Sequence, residues 1–390
     1  MTMDMNDTNP FLSRLMAKIR EPRPPLPPNQ PFFNRIERVP AGLYGEVWFR
    51  TGGCRWDRQG GCTMCNYGRS EPPQPDAMVE SVRQALLALE HPVDELMVSP
   101  SGSLLDPAEV PEEARRRIYA LMAAHPASVL LLETRSEWVT PETADELLAI
   151  RPPGRGVTVE MGLESVDRWV RRFCINKGGS PADFARASGL LRERGLGVYA
   201  NVCLGTAFLS PAEAIDDAVA TVRWALDNGA DRAVVFPLHI KPYTLLDVLS
   251  RDGGYAAPSL WSLVEVLHRL GPTLAGRVEI AWYRSYYDRE GKITRSPDTC
   301  PHCRDAVVGL LDDYRARQDH GTVDTLSAYP CTCRDAWAAS LAATHGARAD
   351  RVATAYRSLA NAFGLGNWLA ANGGDLMAAL YGAPSGRKGD

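Results

Sequence analysis

The stretch GEVWFRTGGCRWDRQGGCTMCNYG, residues 45–68, sets a short apolar strand directly before three cysteines, Cys54, Cys62 and Cys65. Seven residues separate the first pair and two the second, so one short loop can bring three sulfurs to a single metal centre. A structural zinc usually recruits a fourth protein ligand. An iron-sulfur cube held by three cysteines instead leaves one iron open to another molecule. The glycine pairs at 52–53 and 60–61 permit tight turns and close backbone approach, and Met64 adds apolar cover between two of the thiols. A zinc knuckle with a distant fourth cysteine is the plainer reading. An unligated surface loop fits less well, because exposed thiols this close together are prone to oxidation.

Outward from this loop, the chain alternates between two periodicities. Apolar runs at 45–51, DELMVSP (94–100), SVLLLET (128–134), GVTVEMG (156–162), GVYANVCLG (197–205) and RAVVFPLH (232–239) read as strands. Helical stretches at 75–90, 111–124, 181–194 and 211–228 lie between them. That order predicts an α/β fold with parallel strands covered by helices, and a doubly wound sheet is one way to arrange it. Side chains alternate across a strand. Val198, Ala200 and Val202 therefore oppose Tyr199, Asn201 and Cys203, while Val157, Val159 and Met161 oppose Thr158 and Glu160. The polar sets are expected to face inward, where a polar ligand would satisfy groups that are costly to bury alone.

With 390 residues and 45% apolar content, the chain is long enough to bury a large core. A Pro-rich arm is expected over 1–40, with EPRPPLPPNQP (21–31) as an extended segment. The main domain follows over 41–250 and a C-terminal extension over 251–390. The formal net charge of −4 argues against a globally basic nucleic-acid clamp. Arg168, Arg171 and Arg172 could form a local phosphate-binding patch or a solvated helical face. No apolar run is long enough for a membrane helix, and the start lacks the basic-then-apolar order of a secretory signal. A cytoplasmic protein is expected, and its nine cysteines suit thiolate ligands better than a disulfide framework. The alanine-rich tail carries no partner code and leaves the oligomer undefined.

The three cysteines followed by Asn66 and Tyr67 resemble the signature of radical S-adenosylmethionine enzymes. Within that superfamily, SGSLLDP (101–107), VEMGLESVD (159–167), INKGG (175–179) and the stretch 195–244 are similar to the group containing the Elongator catalytic subunit and the archaeosine-forming lyases (RaSEA). The resemblance covers about residues 40–335. It implies a partial (β/α)6 TIM-like barrel over 41–250, flanked by the N-terminal arm and the cysteine-rich C-terminal extension. It also implies a [4Fe–4S] cluster, S-adenosylmethionine, a 5′-deoxyadenosyl radical that abstracts hydrogen, and a reducing partner such as flavodoxin or ferredoxin. The closer resemblance of these phrases to the archaeosine-forming lyases implies a carbon–nitrogen lyase acting on a lysine-modified deazaguanine in tRNA. The acidic chain has no obvious appended RNA-binding module, so a small polar substrate undergoing bond cleavage or rearrangement is the leading expectation.

Candidate site residues follow from position. Ser101, Gly102 and Ser103 follow the second strand, where the resemblance implies contact with the amino group of the cofactor; an ordinary turn is the alternative. Glu133 and Arg135 close the third strand and could hold substrate or cofactor, or pair with each other. Gly162, Glu164 and Ser165 stand in the GLES phrase that the resemblance sets near ribose and carboxylate. Glu160 and Asn201 belong to the inward faces, and Arg172 joins the cofactor-binding candidates. His239 could exchange a proton and Lys241 could bind a carboxylate; with Glu133 and Glu160 they form the catalytic candidates. Cys300, Cys303, Cys331 and Cys333 make a second group able to hold zinc or an auxiliary iron-sulfur cluster. With iron there, sulfur insertion becomes an alternative reaction. With zinc at both groups, a zinc-stabilised interaction protein is the non-enzymatic alternative.

Overall fold

A computed structural model describes residues 8–24, 32–68, 71–100, 102–284 and 293–382. Its eight-stranded sheet runs in unbroken order: β1 (Phe32–Val39), β2 (Gly42–Phe49), β3 (Glu95–Pro100), β4 (Val129–Thr134), β5 (Gly156–Glu164), β6 (Gly197–Leu204), β7 (Arg232–Pro237) and β8 (Val278–Ile280). β1 and β2 form an antiparallel hairpin, and every later neighbour is parallel. A doubly wound sheet reverses its strand order at a switch point. This one never reverses, so the sheet curls in one direction as a partial barrel. All six expected strands are present as β2 to β7, and β1 and the three-residue β8 extend the partial barrel at its two edges.

Helices cover the outside because the strands' outward faces are apolar. Val98, Leu130, Leu132, Val159, Val198, Ala200, Val202 and Val235 join one core with Phe184, Ile215, Val222 and Leu263 from the helices. Helices Pro141–Ile150, Pro181–Arg192 and Pro211–Asp227 each begin with proline after a Thr or Ser capping box, which fixes where each crossover turns back.

The segment expected as an arm holds helix Pro10–Arg20 and strand β1; residues 25–31 of its Pro-rich stretch lie outside the described residues. Phe11, Leu12, Leu15, Met16 and Ile19 bury one helix face against Val352, Tyr356 and Leu359 of helix Arg348–Ala362. The open side of the barrel is bridged by charge. Arg315, from helix Arg304–Arg317, pairs with Glu37 on β1 at 2.7 Å and Glu279 on β8 at 3.5 Å.

Candidate functional site

The triad loop is clamped by residues distant in sequence. Arg20 donates to the carbonyls of Asp57 (3.0 Å), Gly60 (2.7 Å), Cys62 (2.8 Å) and Cys65 (2.7 Å), and its guanidinium pairs with Asp57 at 2.7 Å. The other Asp57 oxygen accepts from Gly68 N at 2.7 Å and Arg23 at 3.1 Å. Asn176, at a left-handed φ of 56°, donates to Gly61 O at 2.9 Å and accepts from Asn9 N at 3.0 Å. Gly60 lies at φ 105°, where a Cβ would come within 2.6 Å of Ser13 Cα. Only glycine lets the loop and the N-terminal helix approach so closely.

Cys54, Cys62 and Cys65 line a cavity of about 210 Å³ together with inward-facing residues of β2 to β8. Burial pushes the thiols up, Cys54 to about 12, Cys62 to about 11 and Cys65 to about 12. Three buried thiols are poor anions by themselves, and a bound cationic centre would reverse that by stabilising thiolates. With glycines giving close access around them, this donor set fits an iron-sulfur cluster.

Beside the triad, Glu164 at φ 66° accepts from Lys177 Nζ at 2.9 Å and Cys203 Sγ at 3.0 Å. Burial alone would raise the Glu164 carboxyl, but the Lys177 ammonium and these hydrogen bonds hold it below its ordinary value. A Cβ at Gly162 would stand 2.5 Å from Glu164 Oε1 and 2.8 Å from Lys177 Nζ, so glycine keeps room for the pair.

The cavity lining is rich in carboxyl groups. Glu133 and Glu160 stand opposite each other on β4 and β5. Burial, with Glu46 and Glu164 nearby, pushes Glu133 up to about 7; burial and then Glu133 push Glu160 well above its ordinary value. Two adjacent carboxyls cannot both ionise cheaply, so the pair retains a proton near neutrality. Ser99 donates to Glu133 at 2.8 Å, as does Asn201 Nδ2 at 3.3 Å. Asn201 Oδ1 is left as a buried acceptor without a partner among the described residues.

Aromatic rings line the same cavity. Trp48 meets Tyr67 and Trp282 edge-on at 5.8 and 5.9 Å, and Phe236 lies 6.4 Å from Trp282. Lys241 Nζ donates to Tyr67 Oη at 3.0 Å and sits 5.0 Å from the Trp282 ring centre. His239 Nε2 donates to the Trp282 carbonyl at 2.5 Å, because that oxygen can only accept, leaving Nδ1 with Ser296 Oγ at 3.1 Å.

Among the sequence candidates, the cavity gathers the triad, Gly102, Glu133, Arg135, Glu160, Gly162, Glu164, Asn201, His239 and Lys241. Ser103, Ser165 and Arg172 do not line it, and Ser101 lies outside the described residues. Ser103 Oγ accepts from Arg135 N at 3.0 Å, and Ser165 Oγ donates to Asp217 at 2.6 Å, so both hydroxyls serve local structure. Arg172 rests over the Phe173 ring. Arg171 is buried and donates to the Leu163 and Gly179 carbonyls, which corrects the three-arginine surface patch.

Sequence reading missed Arg20, Lys177 and Glu109. Glu109 accepts from Arg55 N at 2.6 Å and Ser103 N at 2.7 Å, joining the triad loop to the loop after β3. Lys177 stood within the INKGG phrase, which was a usable signal; Arg20 and Glu109 had none.

Asp217 provides a pH test of the packing behind the site. Burial raises its carboxyl to about 7, so the folded state holds a proton that the unfolded chain releases near 4. Its stabilising contribution is present below about pH 4 and is lost as pH rises towards 7. Asp217→Asn should flatten the fall in melting temperature between pH 4 and 7; an unchanged profile would show that Asp217 does not titrate in that window.

No family model matches the chain. Archaeosine synthase subunit beta of Methanosarcina acetivorans is 30% identical over 296 residues, covering 75% of this chain and 83% of that protein. The protein of the same name from Thermococcus kodakarensis is 31% identical over 309 residues, covering 76% and 92%. The chain belongs to the archaeosine synthase subunit beta family. Its relatives are named as a synthase subunit, and its cysteine signature resembles that of radical S-adenosylmethionine enzymes. Among solved structures, Elp3 of Methanocaldococcus infernus aligns over 53% of each chain at 19% identity with a TM-score of 0.41, too slight a likeness to add to the family assignment. Among the described residues, no helix of this family member is long and apolar enough to cross a membrane.

Proposed function

We propose that this chain is a radical S-adenosylmethionine lyase that breaks a carbon–nitrogen bond in a lysine-modified deazaguanine base. The observation that carries the reading is one cavity lined together by the thiol triad, by the rings of Trp48, Tyr67 and Trp282, and by the Glu133–Glu160 pair. When bound at the triad, a [4Fe–4S] cluster and S-adenosylmethionine supply a 5′-deoxyadenosyl radical after one-electron reduction by a flavodoxin- or ferredoxin-type partner.

The protein's part is positioning. Cys54, Cys62 and Cys65 hold the cluster while Arg20 fixes the carbonyls of two of them. Lys177 orients the cofactor carboxylate and Glu164 its polar groups, with Gly162 leaving space. Trp48, Tyr67 and Trp282 offer apolar faces to a planar base. With the Glu133 and Glu160 carboxyls both raised, the pair can offer a hydrogen-bond donor as well as acceptors, and Asn201 Oδ1 adds an acceptor. Lys241, held by Tyr67, meets a remaining polar group of the substrate, while both ring nitrogens of His239 are taken by Trp282 and Ser296.

The relatives carry the name of a synthase subunit. A partner chain that brings the RNA is consistent with a net charge of −4 on this one. The test supplies reduced, reconstituted protein with tRNA carrying the lysine-modified base and, separately, with the free modified base. Mass analysis of the products should show the base shortened by carbon–nitrogen cleavage in the tRNA arm. Turnover of the free base alone would favour a small-molecule substrate, and an unchanged base in both arms would overturn the lyase reading.

A further inference from the structure

Outside the cavity, the chain brings four more cysteines to one point. Cys300 and Cys303 lie at the start of helix Arg304–Arg317; Cys331 and Cys333 lie at the start of helix Thr332–Leu341. Their Sγ atoms are separated by 3.6 Å (Cys300–Cys303), 3.5 Å (Cys300–Cys331), 3.5 Å (Cys303–Cys333) and 3.4 Å (Cys331–Cys333), and all four lie within 4.8 Å of one another. None lines the main cavity.

These separations discriminate between chemistries. A disulfide needs sulfurs about 2 Å apart, so the four are thiols. In an iron-sulfur cube each thiolate sits on its own iron corner and points outward, which spreads the four sulfurs far beyond the spacing seen here. One tetrahedral ion with metal–sulfur bonds of about 2.3 Å sets its ligands roughly 3.8 Å apart. The observed edges lie close to that value.

We propose that Cys300, Cys303, Cys331 and Cys333 hold a single zinc ion that is structural and takes no part in the radical reaction. Three features beyond the sulfurs support it. Trp261 Nε1 donates to Cys333 Sγ at 3.2 Å, a partner of the kind that orients a metal-bound thiolate. Cys303 and Cys331 are the N-caps of their helices, so two positive helix ends meet a centre that carries net negative charge with four thiolates. Helix Thr332–Leu341 has no buried residue of its own. Its attachment comes from Cys331, Cys333, Leu341 and Trp337, whose Nε1 donates to Ser262 Oγ at 2.9 Å. The ion therefore ties this helix to the start of helix Arg304–Arg317, and the Trp261 and Trp337 hydrogen bonds join both to Leu260–Leu270. One zinc carries no inorganic sulfide, which removes the sulfur donor that a sulfur-inserting reaction would need.

The test uses the full chain with Cys54, Cys62 and Cys65 all changed to Ala, so that iron at the triad cannot mask the second site. Elemental analysis should find about one zinc per chain and no iron, and cobalt exchange should give the intense visible bands of a tetrahedral thiolate site. Adding Cys331→Ser and Cys333→Ser should abolish zinc binding and raise amide exchange across residues 331–341, with strands β2 to β7 staying protected. Iron at this site, or a folded chain without metal, would overturn the proposal. Zinc bound with unchanged exchange in the double-serine chain would overturn the tethering role.

Discussion

Arg20→Met should cost roughly 3–5 kcal/mol of stability, the usual consequence of removing one partner from a buried ion pair. Arg20 and Asp57 are almost fully buried and paired at 2.7 Å, and the same guanidinium holds four loop carbonyls. Methionine preserves much of the stem's volume but leaves Asp57 without its closest cation. The loss falls on the loop carrying the thiols, so iron incorporation should drop with stability. Denaturant unfolding and iron per chain measure the two effects. Arg20→Lys should recover part of the stability, since one ammonium can meet Asp57 but cannot reach all four carbonyls. Full iron loading in a destabilised Arg20→Met chain would separate folding from the clamp and overturn the positioning role.

Lys177→Met should weaken S-adenosylmethionine binding by about ten- to a hundredfold, the range expected when a charge-assisted hydrogen bond of about 1.5–3 kcal/mol is lost. Lys177 lines the cavity, is paired with Glu164 and acts electrostatically on Cys62. Without it, Glu164 loses the ammonium that holds its carboxyl down. Iron content should stay near wild type because Lys177 donates to no triad-loop carbonyl among the described residues. Equilibrium binding to the iron-loaded protein measures the shift. Unchanged affinity would confine Lys177 to supporting Glu164.

The partial barrel was legible because its six main strands combine β-branched or aliphatic runs with helical stretches of ordinary crossover length. β8 has three residues, too few for a period to emerge. β1 follows a Pro-rich stretch, and its mixed sequence FFNRIERV finds its place only by pairing with β2. Parity correctly separated the faces of β6: Val198, Ala200 and Val202 pack outward into the core, while Tyr199, Asn201 and Cys203 meet the cavity. What sequence could not supply was partnership across distance. Arg20 reaches residues 37 to 45 positions away, and Asn176 bonds residues more than 100 positions away. Ser103 and Ser165 illustrate the converse: motif position marked them, yet their hydroxyls are occupied by neighbouring protein groups.

Formation of 5′-deoxyadenosine by the reduced, iron-loaded protein, followed alongside consumption of the modified base, tests the central claim most directly. The account predicts product in proportion to base consumed, with none from the chain in which Cys54, Cys62 and Cys65 are replaced by alanine. Base consumption without 5′-deoxyadenosine, or equal activity in that triple variant, would contradict it.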